Sequence, residues 1–302
     1  MDPLECVCIR VKTSLLAIET APKLWERFQT ERERVTTPAA LTPKPREWPD
    51  TGLHAAWIGH STVLLKVDGV TILTDPVFSE KIGIGIGPIT LGMTRIVGPA
   101  LPQTEIPRPD IVLLSHAHMD HFDLPSLRAL ESESTNVVTA ARTSDLLRAR
   151  YRTIHELAWG DAVRLGEVGV RAVEVKHWGA RLRSDTYRGF NGYLVETPNY
   201  RVLFGGDTAM TDAFRPLHDQ RGIDLAIMPI GAYNPWIRAH CTPEQAIQMA
   251  DAAGADRILP VHHQTFQLSS EPYQEPIDRF VAGADRDRVA LTEIGGEFHF
   301  VK

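Results

Sequence analysis

Cysteine is scarce: 302 residues hold three, Cys6, Cys8 and Cys241, an odd number without the spacing of a zinc ribbon or a Cys-x-x-Cys pair. Neither a disulfide framework nor a thiolate metal site is expected, and a reducing, cytoplasmic setting fits. An excess of positive charge is also lacking. Thirty-two Lys and Arg stand against 38 Asp and Glu, a formal net charge of -6, so no nucleic-acid partner is expected. Nor does any apolar run cross a bilayer's thickness uninterrupted. Leu4–Ile18 carries Glu5, Arg10 and Lys12 and has no small-residue cleavage pattern, so neither a spanning helix nor a signal peptide is expected there. The stretch 82–101 has one charge, Arg95, but Gly83, Gly85, Gly87, Pro88, Gly92, Gly98 and Pro99 break it as a helix, and it reads as a long apolar loop. A Gly/Ser linker and a short-period repeat are both missing, which leaves one main domain.

What is present is layered. Residues 1–50 are charged and punctuated by Pro38, Pro43, Pro45 and Pro49, with a helix expected over Lys23–Glu33, and read as an N-terminal arm to a single domain over 51–302. Beyond Gly52, short β-branched runs predict strands at Thr62–Val67, Val70–Leu73, Ile111–Leu114, Asn136–Ala140, Val168–Val175, Tyr193–Glu196, Arg201–Phe204, Asp224–Met228 and Arg257–Val261. Asp68-Gly69 is the dipeptide of a tight hairpin turn. Helices are expected at Pro125–Glu131, Thr143–Arg150, Pro243–Ala253 and Glu275–Ala284, each opening near a capping residue. Alternation of the two kinds predicts an α/β fold.

Directly after the apolar run Ile111–Leu114 comes Ser115-His116-Ala117-His118-Met119-Asp120-His121. A buried strand that empties into three histidines and an aspartate places metal-binding side chains in a loop at a strand end. His116 and His118 are two apart, so in extended backbone their imidazoles share a side and can share a metal. Asp120 and His121 follow where the chain turns, within reach of a second ion. Further ligands are expected at other strand ends: His177, Asp207 in Gly205-Gly206-Asp207-Thr208, whose carboxylate can bridge two cations, and His262.

This order of residues resembles the metallo-β-lactamase superfamily. The segments Trp57-Ile58-Gly59-His60-Ser61-Thr62, Leu73-Thr74-Asp75-Pro76-Val77-Phe78, Ser115 to His121, His177-Trp178, Gly206-Asp207-Thr208, Pro229-Ile230-Gly231-Ala232-Tyr233 and His240-Cys241-Thr242-Pro243-Glu244 are similar to the branch that contains N-acyl-phosphatidylethanolamine-hydrolysing phospholipase D, over about Trp57 to Phe266. Ascorbate-6-phosphate lactonases share part of the pattern. The resemblance implies a four-layer αββα sandwich and two metals. It puts His116, His118 and His177 on one metal, Asp120, His121 and His262 on the other, and Asp207 between them. His262 and its neighbour His263 point to opposite faces of an extended strand, and the order Val261-His262-His263-Gln264-Thr265-Phe266 matches the family's ligand at His262, which is favoured. Asp75 matches a carboxylate that orients the ligand loop, with an Asp-Pro turn as the other reading. His60 is either a shared functional position or a packed core histidine. His240 matches a position near the substrate and is taken, with Asp120, as a catalytic residue. His54, His155, His218 and His299 are read as structural or surface residues, and Trp178, Tyr233 and Trp236 as packing residues whose nearness to the ligand segments leaves a pocket role open.

Imidazoles and carboxylates without thiolates suit two divalent ions, zinc best, without separating zinc from manganese or iron. Such a pair activates a bridging hydroxide as nucleophile, with Asp120 orienting it. No organic cofactor is expected, since the Gly83–Gly87 alternation is not Gly-x-Gly-x-x-Gly. The expected activity is a metal-dependent phosphodiesterase on a small-molecule or lipid substrate. The alternatives are a lactonase or other carboxylic-ester hydrolase on the same metals, and a non-catalytic binding module. A lipid substrate would add peripheral membrane contact, and a second copy of the chain is among the partners considered.

Overall fold

The computed structural model describes residues 30–31, 33–86, 89–148, 150–182 and 184–302. Cys6, Cys8 and all of the helix expected over Lys23–Glu33 except Thr30, Glu31 and Glu33 lie outside them. In chain order the elements are β1 (Leu53–Gly59), β2 (Thr62–Val67), β3 (Val70–Thr74), β4 (Lys81–Ile86), β5 (Ile89–Thr94), β6 (Ile111–Leu114), α1 (Leu124–Ala129), β7 (Ser132–Ala140), β8 (Tyr151–Leu157), β9 (Ala162–Leu165), β10 (Val168–Val173), β11 (Gly192–Glu196), β12 (Arg201–Phe204), α2 (His218–Arg221), β13 (Ile223–Pro229), α3 (Pro243–Ala252), β14 (Ala255–Val261), α4 (Glu275–Gly283) and β15 (Glu297–Phe300).

Two mixed sheets pack face to face, a seven-stranded one ordered β15-β1-β2-β3-β6-β7-β8 and a six-stranded one ordered β14-β13-β12-β11-β10-β9. Side-chain alternation builds the layers. In β13, Leu225 and Ile227 enter the core shared with β1, β2 and β3, while Ala226 and Met228 face the other way, against Ala246, Ala250, Ile277 and Phe280 of α3 and α4. In β6, Leu113 points into the shared core and Val112 and Leu114 pack with Leu127 of α1. Strands buried on both faces read as unbroken apolar runs, which is why Ile111–Leu114 and Arg201–Phe204 stood out in the sequence. The outcome is an αββα sandwich. At the β2–β3 turn Asp68 and Gly69 both take positive φ, 48° and 83°, as a two-residue hairpin of this twist demands.

Three expectations need correction. Among the described residues the stretch 82–101 is a loop only in its last part, 95–101: β4 and β5 form a separate two-stranded hairpin that pairs Ile82 with Met93 and Ile84 with Leu91. Its isoleucine–glycine alternation is a period-two strand pattern that the density of glycine obscured. Gly83 faces Gly92, where a Cβ on Gly92 would sit 1.8 Å from the Ile82 carbonyl. The helix expected over Thr143–Arg150 shrinks to one 3-10 turn, Ser144–Leu146. There Glu156 accepts from the backbone N–H groups of Thr143 and Ser144, and Arg188 grips Asp145 and the Arg142 carbonyl, local bonds that compete with a helical ladder. Finally, β10 stops at Val173, so His177 is carried by the loop beyond it.

Ahead of β1, Trp48 is buried and donates to Glu297 on β15 at 2.6 Å, and buried Glu31 accepts from the Thr94 N–H of the hairpin at 2.7 Å.

Candidate metal centre

Seven loops meet at one end of the sandwich. Asp75 follows β3, and residues 115–121 follow β6. His177, Asp207 and His262 follow β10, β12 and β14; His240 lies in the loop between β13 and α3, and His60 in the β1–β2 turn. The two sheets are stitched together here: Asn191, before β11, donates from its backbone to the Ser115 carbonyl at 2.9 Å, and Tyr193 Oη donates to the Leu114 carbonyl at 2.9 Å. Gly206, at φ 57°, lets the Asp207 loop close onto this seam, since a Cβ there would lie 2.7 Å from the Asn191 carbonyl. A turn in which Phe122 N–H donates to the His118 carbonyl then swings Asp120 and His121 past His116 and His118.

The rings are held by one nitrogen and point the other inward. His121 Nδ1 donates to Asp75 Oδ2 at 2.7 Å, His177 Nδ1 donates to the Ala239 carbonyl at 2.9 Å, and His116 Nδ1 pairs with Ser115 Oγ at 2.8 Å. Asp75 also accepts from Ser115 N–H and Oγ. Such outer contacts fix each ring's orientation and turn its Nε2 inward, where it can bind an ion once it carries no proton. Ser115 and the Ala239 carbonyl escaped the sequence reading, because neither an ordinary serine nor a backbone oxygen carries a signal; adjacency to His116 and His240 was the only clue.

Two groups of inward atoms result. His118 Nδ1 is 2.8 Å from His116 Nε2 and 3.2 Å from His177 Nε2, close to the ~3.3 Å edge of a tetrahedron with bonds of about 2.0 Å. Asp120 Oδ2 is 3.4 Å from His121 Nε2 and 3.5 Å from His262 Nε2, with His60 Nε2 at 3.0 Å. Asp207 Oδ2 lies between the groups, 3.1 Å from His121 and His262 Nε2, 3.9 Å from His116 Nε2, 3.8 Å from His177 Nε2 and 3.8 Å from His240 Nδ1. All the residues singled out as ligands or catalytic groups thus come together. His263 does not join them, and its buried ring packs on Trp57 at 4.5 Å. His54 and His299 pair with each other on β1 and β15.

Whether a cation fits can be judged from what the protein leaves unmet. Buried at this point, without a hydrogen-bond partner, are Asp207 Oδ1, His121 Nε2, His240 Nδ1 and His262 Nε2. A buried polar atom left unpaired costs about 1–3 kcal/mol; Asp207 Oδ1, His121 Nε2 and His262 Nε2 are candidate ligand atoms for a cation, with His240 Nδ1 buried beside them.

The charges agree. Burial works against ionising Asp207 and Asp120, but His121 and its neighbours outweigh it and hold both carboxyls well below the usual range. Burial likewise opposes charge on His262 and His121, yet Asp207 and Asp120 lift His262 to about 9 and His121 well above its ordinary value. Burial keeps the others neutral: His116 and His177 fall well below 6.5, and His118 and His240 fall to about 4. Two carboxylates balanced by two imidazoliums, beside further neutral imidazoles, can exchange protons for metal.

Several exposed apolar side chains stand in the loops that carry His177 and His240. Trp178, 42% exposed, has its ring 4.8 Å from His118 and 6.2 Å from His240, and Leu182, Tyr187, Trp236 and Ile237 are exposed in the same two loops.

Residues 70–263 match the beta-lactamase superfamily domain. The chain is 31% identical over 280 residues to an uncharacterized protein of Mycobacterium tuberculosis, covering 89% of this chain and 74% of that one. It is 28% identical over 249 residues to N-acyl-phosphatidylethanolamine-hydrolyzing phospholipase D 1 of Caenorhabditis elegans, covering 76% and 69%. Its fold is similar to that of Igni18, a metallo hydrolase of Ignicoccus hospitalis, with a TM-score of 0.61 at 19% identity over 83% of this chain and 100% of the other.

Proposed function

This chain belongs to the metallo-β-lactamase superfamily, and we propose that it is a metal-dependent hydrolase holding two divalent ions, zinc foremost, that cleaves a phosphodiester bearing an acyl chain, as in an N-acylated phospholipid. The observation that carries the proposal is Asp207 Oδ2, which has an imidazole nitrogen of each of five histidines within 4 Å, from loops of both sheets. His116, His118 and His177 would hold one ion, Asp120, His121 and His262 the other, and Asp207 both. Bound there, such ions supply Lewis-acid polarisation and a water of lowered pKa.

The chain's own groups do the rest. Asp120, ionised and 14% exposed at its side chain, orients the attacking water and accepts its proton. His240, neutral at pH 7, meets the substrate as a hydrogen-bond partner and not as a cation. The P–O bond to the leaving alcohol breaks as the water oxygen bonds to phosphorus, and the released proton passes to that alcohol. Trp178, Trp236 and Ile237 give an acyl chain somewhere to lie, and similarity to the worm phospholipase supports the same substrate class. A lipid substrate would add contact with a membrane surface; no described helix is long and apolar enough to cross one.

The test is a side-by-side hydrolysis screen of phosphodiesters, N-acylated phospholipids, lactones and carboxylic esters with zinc-loaded protein. Preferred turnover of the acylated phosphodiester is expected. Turnover of lactones or esters alone would move the reading to a carboxylic-ester hydrolase, and no turnover with two ions bound would end it.

A further inference from the structure

His60 lies outside the seven ligands, yet it touches the second metal position from both sheets. In the β1–β2 turn it sits at φ 54°, a left-handed backbone state uncommon outside glycine. Its main chain makes three bonds there: its N–H donates to Thr265 Oγ1 at 2.7 Å, and its carbonyl accepts from Trp57 Nε1 at 2.7 Å and from the His262 N–H at 3.1 Å. Its buried ring lies 4.3 Å from that of His262, with Phe266 edge-on at 5.3 Å. The main chain of His60 is thus joined to His262, behind β14, while its side chain reaches Asp120, behind β6, at 3.0 Å.

Chemistry decides which role this is. An ionised carboxylate only accepts, so the 3.0 Å contact requires Nε2–H on His60, and that nitrogen has no lone pair left for a metal. Five other histidines bring a nitrogen within 4 Å of Asp207 Oδ2, and His60 is not one of them. The ring therefore stands against Asp120 as a donor, with its polar atom within 4.8 Å of those of His121 and His262. Being buried, it does not meet substrate either.

We propose that His60 is a positioning residue for the second metal position: by donating to Asp120 while its carbonyl holds the backbone of His262, it sets the affinity of the Asp120/His121/His262 position and leaves the His116/His118/His177 position alone. This rests on the two-metal reading above. Outer partners of metal ligands typically change affinity about 10–100-fold when removed, and this one ties together ligands from both sheets.

The experiment is a Zn(II) titration of the metal-free protein against a chromophoric chelator, with parent, His60→Phe, His60→Asn and His60→Gln, each first shown by its melting curve to be folded. Phenylalanine keeps a ring and drops the donor. Asparagine tolerates positive φ but is too short to reach Asp120, so it stands in if the phenylalanine variant fails to fold. Glutamine places an N–H near the lost one. The expected result is two tight equivalents for the parent, a second equivalent weakened about 10–100-fold in the Phe and Asn variants with the first unchanged, and recovery of most of the loss in Gln. Two equivalents of parental affinity in the Phe and Asn variants, equal loss of both equivalents, or a Gln variant as weak as Phe would each overturn the positioning role. A parent that binds fewer than two ions would instead bring down the two-metal reading, and this inference with it.

Discussion

A carboxylate oxygen shared by two groups of imidazoles gives one residue leverage over both. Asp207→Ala should lower zinc content, measured by elemental analysis, from about two ions per chain to below one and abolish hydrolysis. His263→Ala, next in sequence to a ligand, should keep both ions and most activity while losing about 2–4 kcal/mol of stability, because its ring fills core space against Trp57. An Asp207 variant that retains two ions would refute the bridge. Acidity adds a second test. His262 and His121 must shed a proton to bind metal, and both hold it above the ordinary histidine range, His262 to about 9. Zinc affinity should therefore strengthen as pH rises from 7 toward 9, and a flat competition titration over that range would contradict the charge balance described. Much of the centre was legible because metals demand a small alphabet: His116, His118, Asp120, His121, His177, Asp207 and His262 announce themselves by type and by falling after apolar runs. Of what holds those ligands, Asp75 was legible through the resemblance; Ser115 was not, being an ordinary serine beside His116, nor were the Ala239 carbonyl and the His60 contact, which exist only once distant loops meet.

At the scale of elements, the sequence spoke clearly where burial on both faces wrote an apolar run, and poorly elsewhere. β8, β9 and β15 are polar and partly exposed, and β1 lost its signal behind the histidine and glycine at its ends. The β4–β5 hairpin is the instructive case. Its base packs Ile82 and Met93 on Val77, Phe266 and Leu268, and Phe266 touches the His60 ring, so it is anchored beside the centre, while Ile84 and Leu91 point a cross-strand apolar pair at solvent. Exposed apolar pairs at an anchored hairpin suit contact with a substrate's hydrocarbon. Changing Ile84 and Leu91 to Ser together should leave folding and zinc content intact, raise KM for acyl-bearing phosphodiesters several-fold, and leave kcat/KM for a small soluble phosphodiester as in the parent. Equal behaviour toward both substrates would confine acyl recognition to the loops of Trp178 and Trp236.

The molecule as a whole carries its chemistry at the seam between two sheets, so metal there should act as a clasp. Ions that bind only the folded chain add RT ln(1 + [L]/Kd), about 2.7 kcal/mol at a hundredfold excess over Kd, which for a chain of this size is a Tm difference of about 4 °C. The metal-free form has its own pH profile, with signs that follow from the shifts. His116, His118, His177 and His240 stay neutral in the folded state well below 6.5, whereas the unfolded chain protonates them there; stability is full above about 6.5 and declines as pH falls. The depressed carboxyls of Asp120 and Asp207 contribute above about 4, and that contribution is lost at still lower pH. His262 and His121 run the other way, contributing fully below 6.5 and losing their contribution as pH rises through about 9 for His262. Chelated protein should therefore melt highest near pH 6.5, lose Tm as pH rises from there through about 9, and lose it again as pH falls below 6.5. Zinc-loaded protein should keep its Tm on the alkaline side, because metal has already displaced the two protons whose loss weakens the metal-free form. Calorimetry of both forms from pH 5 to 10 would decide it: a metal-free Tm that climbs as pH drops from 6.5 to 5 would mean that these histidines are not held neutral at the seam, and the electrostatic account of the centre would fail with them.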